Sequence, residues 1–305
     1  MLSLFLFCVP SSLSSQPILE NLTYFQCSTV VVNAPKMKLK IFSAYTSTTP
    51  SEPTISVTVD ADYKIISGGA QVIQPDVRIV ENYPTSATTW MVKATTYAAA
   101  KSGNVAAFAI GLYDPDDEWD VVIDSQQSST SNLPYVESSV PSGYLRTGGG
   151  ARVIFPIDSG KMIFVCGSYP SDVDKWSAQG SEHSASSTGQ IVAYSIGVKH
   201  RSAFLLPSCS IYSEETGPAS HPTITVTRTE DVIIGGGALG TLPDSGSFYG
   251  NVLFTTAPFR QTTSGTGVSQ NGKQWIAETR DHKVYFNANC TIFTIECPPE
   301  AIEYL

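Results

Sequence analysis

The chain has 305 residues, 42% of them hydrophobic and 15% charged, with a formal net charge of −9. That apolar share can fill a large core, but the acidic balance lacks the basic footprint of a nucleic acid binder and disfavours an anionic membrane surface as partner. No run reaches the ~18–20 apolar residues of a transmembrane helix, and Ser, Thr, Gly and Asn stand where charge is usually found, which favours strands and tight turns.

Residues 1–36 read as a leader or signal-like segment. Leu2 to Val9 is a short apolar run, followed by Pro10 and a Ser-rich stretch, but without a basic start. A signal peptide implies a secreted protein, whereas initiation at Met37 implies a cytoplasmic one. Lys36, Lys38 and Lys40 alternate with apolar residues and read as a strand face.

From residue 37 one set of landmarks recurs three times in the same order, the signature of an internal repeat of roughly 80 residues. In 37–117 a strand-like run, Leu39 to Tyr45, leads to Pro53 and then to the alternating Thr54 to Val59. Tyr63 to Ile66 enters the cluster Ser67-Gly68-Gly69-Ala70. Tyr83-Pro84, Trp90 and a closing apolar run, Ala107 to Leu112, follow. Ala94 to Ala100 holds helix-favouring alanines, but lies where the other copies are polar and reads as a strand end or loop.

The second copy, 118–203, follows an acidic run, Asp114 to Asp120. Clustered oxygens there suit calcium, but EF-hand spacing is missing and a solvated loop fits better. Its landmarks are Val121 to Asp124, Pro134, Tyr144 to Thr147, Gly148-Gly149-Gly150-Ala151, Tyr169-Pro170, Trp176 and Gln190 to Val198. The third copy, 204–298, carries Ser208 to Tyr212, Pro222, Thr223 to Thr227, Val232 to Ile234, Gly235-Gly236-Gly237-Ala238, Ala257-Pro258, Trp275 and Ile292 to Cys297. An insertion, Gln261 to Lys273, lengthens it. Residues 299–305 form a C-terminal tail.

These elements predict an all-β chain. Short links and the advantage of hiding sheet edges favour one closed, pseudo-three-fold, β-prism-like body. A β-trefoil-like body or three separate small β-sandwiches are the alternatives. Consecutive glycines mark a bulge or a close backbone approach, near the pseudo-symmetry axis in a closed body. They do not make a phosphate cradle, since no helix start follows.

The candidate site residues follow the tryptophans. Six and seven residues after Trp90, Trp176 and Trp275 stand Thr96 and Tyr97, Glu182 and His183, and Asp281 and His282. An indole face stacks on the C–H face of a pyranose while carboxylate and imidazole grip hydroxyls, so this pattern points to glycans as partners. Core packing is the competing reading of a thrice-repeated Trp. In one strand the acid shares the face of the Trp and the His points away.

The expected function is therefore carbohydrate binding, lectin-like, with up to three related sites. A toxin-type or defence targeting module is one alternative, and a hydrolase with a single site in the third copy is another. No catalytic residue is assigned: the nearest nucleophile-elbow look-alike, Gly246 to Gly250, has its serine misplaced. No metal site or cofactor is expected, because the six cysteines form no CxxC pair and the four histidines are scattered. Cys290 and Cys297, seven apart, face opposite ways and should not bond each other. Asn21 and Asn289 open glycosylation sequons, usable only in a secreted chain.

Overall fold

The computed structural model describes residues 35–305 except 49, 75–76, 97–101, 155–162, 183–186, 204–205, 242–250, 260–270 and 282–286, together with the backbone of 4–10 and 25–31. Among these residues the regular structure is strand, apart from one 3-10 turn at Pro299–Ala301.

Strands β1 (Leu4–Pro10) and β2 (Phe25–Val31) pair antiparallel within the stretch read as a leader. Six strands then fall in each of three segments. The first holds β3 (Met37–Tyr45), β4 (Thr54–Thr58), β5 (Tyr63–Val72), β6 (Arg78–Pro84), β7 (Thr89–Thr95) and β8 (Val105–Tyr113). The second holds β9 (Trp119–Gln127), β10 (Tyr135–Ser139), β11 (Leu145–Ile154), β12 (Ile163–Pro170), β13 (Lys175–Glu182) and β14 (Gln190–His200). The third holds β15 (Ser210–Glu215), β16 (Thr223–Thr227), β17 (Val232–Thr241), β18 (Val252–Ala257), β19 (Gln274–Arg280) and β20 (Asn289–Cys297). Strand β21 (Ile302–Tyr304) follows in the stretch read as a tail. It pairs parallel with β3, setting Ile302 opposite Met37.

The main body has three sheets: β4-β7-β6-β11-β14-β9, β10-β13-β12-β17-β20-β15 and β16-β19-β18-β5-β8-β3-β21. Each segment divides its strands between two sheets. The first sheet joins segments one and two, the second joins two and three, and the third joins three and one. Local patterning explains each strand. Thr223–Thr227 alternates β-branched residues, with the threonines outward. Val105–Tyr113 is apolar nearly throughout and buried nearly throughout. One apolar cluster, from Leu39 through Trp176 to Ile302, runs through all three segments.

The glycine clusters are where backbones and rings come closest. A Cβ on Gly68, Gly149 or Gly236 would lie 2.4, 2.3 or 2.7 Å from an indole carbon of Trp90, Trp176 or Trp275. A Cβ on Gly69, Gly150 or Gly237 would meet a backbone oxygen of the joining strand, of Thr256, Asn82 or Ser168, at 2.2–2.4 Å. The positions before these bring β5, β11 and β17 together: Gly148 lies against Ile66 and Ser67, and Gly235 against Thr147 and Ser67. The Thr147 hydroxyl donates to the Ile66 carbonyl at 2.8 Å.

Candidate functional site

The three tryptophans face the core, so they offer no platform to a sugar. Trp90, Trp176 and Trp275 are at most 1% exposed. Each indole N–H is satisfied internally, by Asn82 Oδ1 at 2.8 Å, Ser168 Oγ at 3.0 Å and Thr256 Oγ1 at 3.1 Å. A buried indole needs such an acceptor, and the strand beside each one provides it. The core-packing reading of these residues holds.

The residues six places on stand at or just past the ends of the same strands, ~20 Å along the backbone from the tryptophans, since each strand residue rises ~3.3 Å. Thr96, Glu182 and Asp281 are all buried, and their N–H groups donate to the carbonyls of Ser51, Asn132 and Ser220. Glu182 Oε2 accepts from the Ser187 N–H at 3.0 Å. Asp281 Oδ1 lies 3.2 Å from His221 Nε2, while its Oδ2 has no partner among the described residues. Tyr97, His183 and His282 lie outside the described residues.

The acidic loop after β8 is ion-paired rather than merely solvated. Lys64 Nζ reaches Asp114 Oδ2 at 2.6 Å and Asp117 Oδ1 at 2.5 Å, and Arg201 Nη1 meets Asp117 Oδ2 at 2.5 Å. Lys64 hydrogen bonding and then Arg201 hydrogen bonding hold the Asp117 carboxyl below its usual range. Among the described residues no group of three or more His, Cys, Asp or Glu is arranged to hold a metal ion. Among the described residues no helix is long and apolar enough to cross a membrane.

Polar and aromatic groups converge instead on the second sheet. Outward residues of β10 and β13 meet the turn after β12. Glu137 Oε1 accepts hydroxyls from Tyr135 at 2.9 Å, Ser171 at 2.9 Å and Ser177 at 3.1 Å. Lys175 Nζ lies 3.5 Å from its other oxygen. The Tyr135 hydroxyl leads in holding the Glu137 carboxyl below its usual range, against the opposing pull of burial. The Tyr135 ring remains 49% exposed. Beside it Gln179 Nε2 donates to the Tyr169 hydroxyl at 3.2 Å, and the Tyr169 ring stacks on Phe293 with centroids 4.7 Å apart.

Ser171 and Phe293 also line a cleft of ≈ 520 Å³ between the β12–β13 turn, the start of β11 and strands β15 and β20. Its other walls include Leu145, Arg146, Ser210 and Ile211. Next to it Cys209 is disulfide-bonded to Cys297, leaving Cys290 as a buried free thiol.

Sequence reasoning passed over this patch, though a signal was present. Register places Glu137 level with Ser56 and Thr225, and Tyr135 level with Thr54 and Thr223. An aromatic and a carboxylate stand where the other segments carry small hydroxyls. Arg146 likewise stands level with Ile65 and Ile233, each followed by the same register shift.

No family model matches the chain, and no curated protein matches it. Among solved structures, one described as the triple jelly roll fold and turret assembly in an archaeal virus covers 100% of this chain and 91% of its own. Sequence identity is 8% and the TM-score 0.18, too low to support any inference about fold or function.

Proposed function

We propose that the chain is a non-catalytic carbohydrate-binding protein whose three segments close into one pseudo-three-fold, prism-like β body. The cyclic sharing of strands among the sheets and the mutual contact of β5, β11 and β17 support the closed form. The glycan-binding face is the outward side of the second sheet, around Tyr135, Glu137, Lys175 and Gln179, continuing into the adjoining cleft. The single observation carrying this reading is the half-exposed Tyr135 ring beside a carboxylate that already collects three hydroxyls. A saccharide brings the same groups: hydroxyls to replace those of the serines, and a C–H face to cover the ring. In this form the molecule has one principal site rather than three, because the other sheets place Thr or Ser at the two key positions.

Burial pushes the Cys166 and Cys290 thiols up to about 12, which leaves these two groups inert as nucleophiles. A glycan array of densely displayed sugars tests the proposal. Binding is expected, and Y135A should lower it at least tenfold with the melting temperature nearly unchanged, as for a surface substitution. Silence across the array, or full binding by Y135A, would overturn the reading.

A further inference from the structure

One charged side chain is buried where the fold does not need it. Arg146 is 2% exposed, in a core position that Ile65 and Ile233 fill in the other two segments. Its Nε donates to the Asp172 carbonyl at 3.1 Å, and its guanidinium carbon lies 5.9 Å from the Trp176 ring centroid. Among the described residues its Nη1 has no partner, and no carboxylate forms an ion pair with it. Burial draws the guanidinium down to about 10, which leaves it cationic at neutral pH. An unpaired buried charge is costly, and a hydrophobe of similar volume is commonly as good or better there.

The surroundings differ from those of Ile233 in one further respect. At the register-equivalent end of the third segment, the ring of Tyr304 packs against Gly272, and its hydroxyl donates to the Ile233 carbonyl at 3.0 Å. Strand β21 thus plugs that end. At Arg146 the corresponding space is the open cleft, which Leu145, Ser210, Ser213 and Phe293 also line.

We infer that the cleft binds the carboxylate of an acidic saccharide, with Arg146 as its counter-charge. This deepens the carbohydrate reading and rests on it. A planar carboxylate matches the guanidinium fork. Nearby Asp172 and Asp174, whose charges already act on Arg146, repel a carboxylate monoanion less than they would a phosphate dianion. The serine hydroxyls and the apolar wall suit the hydroxyls and C–H face of a sugar ring.

Calorimetric titration of the full chain with methyl glucuronide, methyl glucoside and acetate tests the inference. The glucuronide is expected to bind at least tenfold tighter than the glucoside. R146I should abolish that preference while melting no lower than the parent, because isoleucine is the residue used at both equivalent positions. If R146I fails to fold, R146Q decides: loss of the preference in R146Q supports the inference, and its survival overturns it. Equal binding of the two glycosides, or a preference that survives R146I or R146Q, overturns the inference and leaves neutral-glycan recognition standing. Acetate binding that depends on Arg146, without tighter binding of either sugar, keeps the anion site and overturns the saccharide reading.

Discussion

The far ends of the first and third segments occupy the same register and are built from opposite materials. In the first, Val72, Val77, Ala94 and Val105 meet as an apolar plug, all essentially inaccessible. The equivalent positions in the third are Gly240, Asn251, Thr279 and Cys290, flanked by Asp281. There Asn251 Oδ1 and Asp281 Oδ2 are buried with no partner among the described residues. A buried polar atom without a partner costs stability. One backbone pattern therefore tolerates both fillings, and the first segment shows what the fold prefers. Departures from that preference, here and at Arg146, mark where stability has been given up, as happens at functional sites.

The largest test of this comparison is covalent. The Cys209–Cys297 disulfide spans 88 residues and stands where the first segment pairs Leu39 with Leu112. Closing a loop of that length is worth roughly 4 kcal/mol in the chain-entropy estimate. C209A/C297A should lose most of that in chemical denaturation, and C209L/C297L should recover part of it through packing. Equal stabilities for the two double variants would mean that the leucine pair is no guide to the third segment.

Next in size is the exchange of fillings. V77N places an amide into the apolar plug and should cost roughly 2–4 kcal/mol by denaturant titration. The reverse change, N251V, removes the unpartnered Oδ1 and gives up only a long hydrogen bond from Nδ2 to the Asn289 carbonyl, 3.4 Å. It should gain about 1 kcal/mol. A loss of that size instead would mean that the polar filling of the third segment is satisfied by something it binds.

Strands, turn positions and their order were legible in the sequence because each depends on local pattern: β-branched alternation, proline before a strand, glycines before Ala70, Ala151 and Ala238. The exchange of strands between sheets was not, since pairing Asn82 with Ala151 is a contact between distant parts of the chain. The tryptophans misled because a recurring aromatic has the same spacing whether it packs inside or binds outside. Burial, an internal acceptor for each indole N–H and the glycines facing Trp90, Trp176 and Trp275 decide it, and these are visible in three dimensions alone. The patch at Tyr135 and Glu137 shows in the sequence only as a mismatch among aligned strands, and a difference between copies carries no period to reveal it. The tail gave no sign of pairing, because three residues such as Ile302–Tyr304 carry too little alternation to announce a strand.

The smallest effect concerns the entrances to the second and third segments. The third is held beside β20 by the disulfide; the second is held beside β14 by the ion pairs of Lys64, Asp117 and Arg201. Asp117 is an exposed residue with φ of 54°, a backbone conformation that Asn also adopts readily, so D117N removes the charge without straining the loop. Its folded pKa lies below the ordinary 3.8, so its contribution to stability is complete above that value and is lost as pH falls through the lower, folded one. Thermal melts from pH 5 to pH 2.5 should therefore show a slightly steeper loss for the parent chain than for D117N, with the gap narrowing in high salt because exposed pairs are screened. Identical acid limbs would mean that the second segment is seated by the packing of Val121 against Val198 alone, the apolar pair that occupies the place of the disulfide.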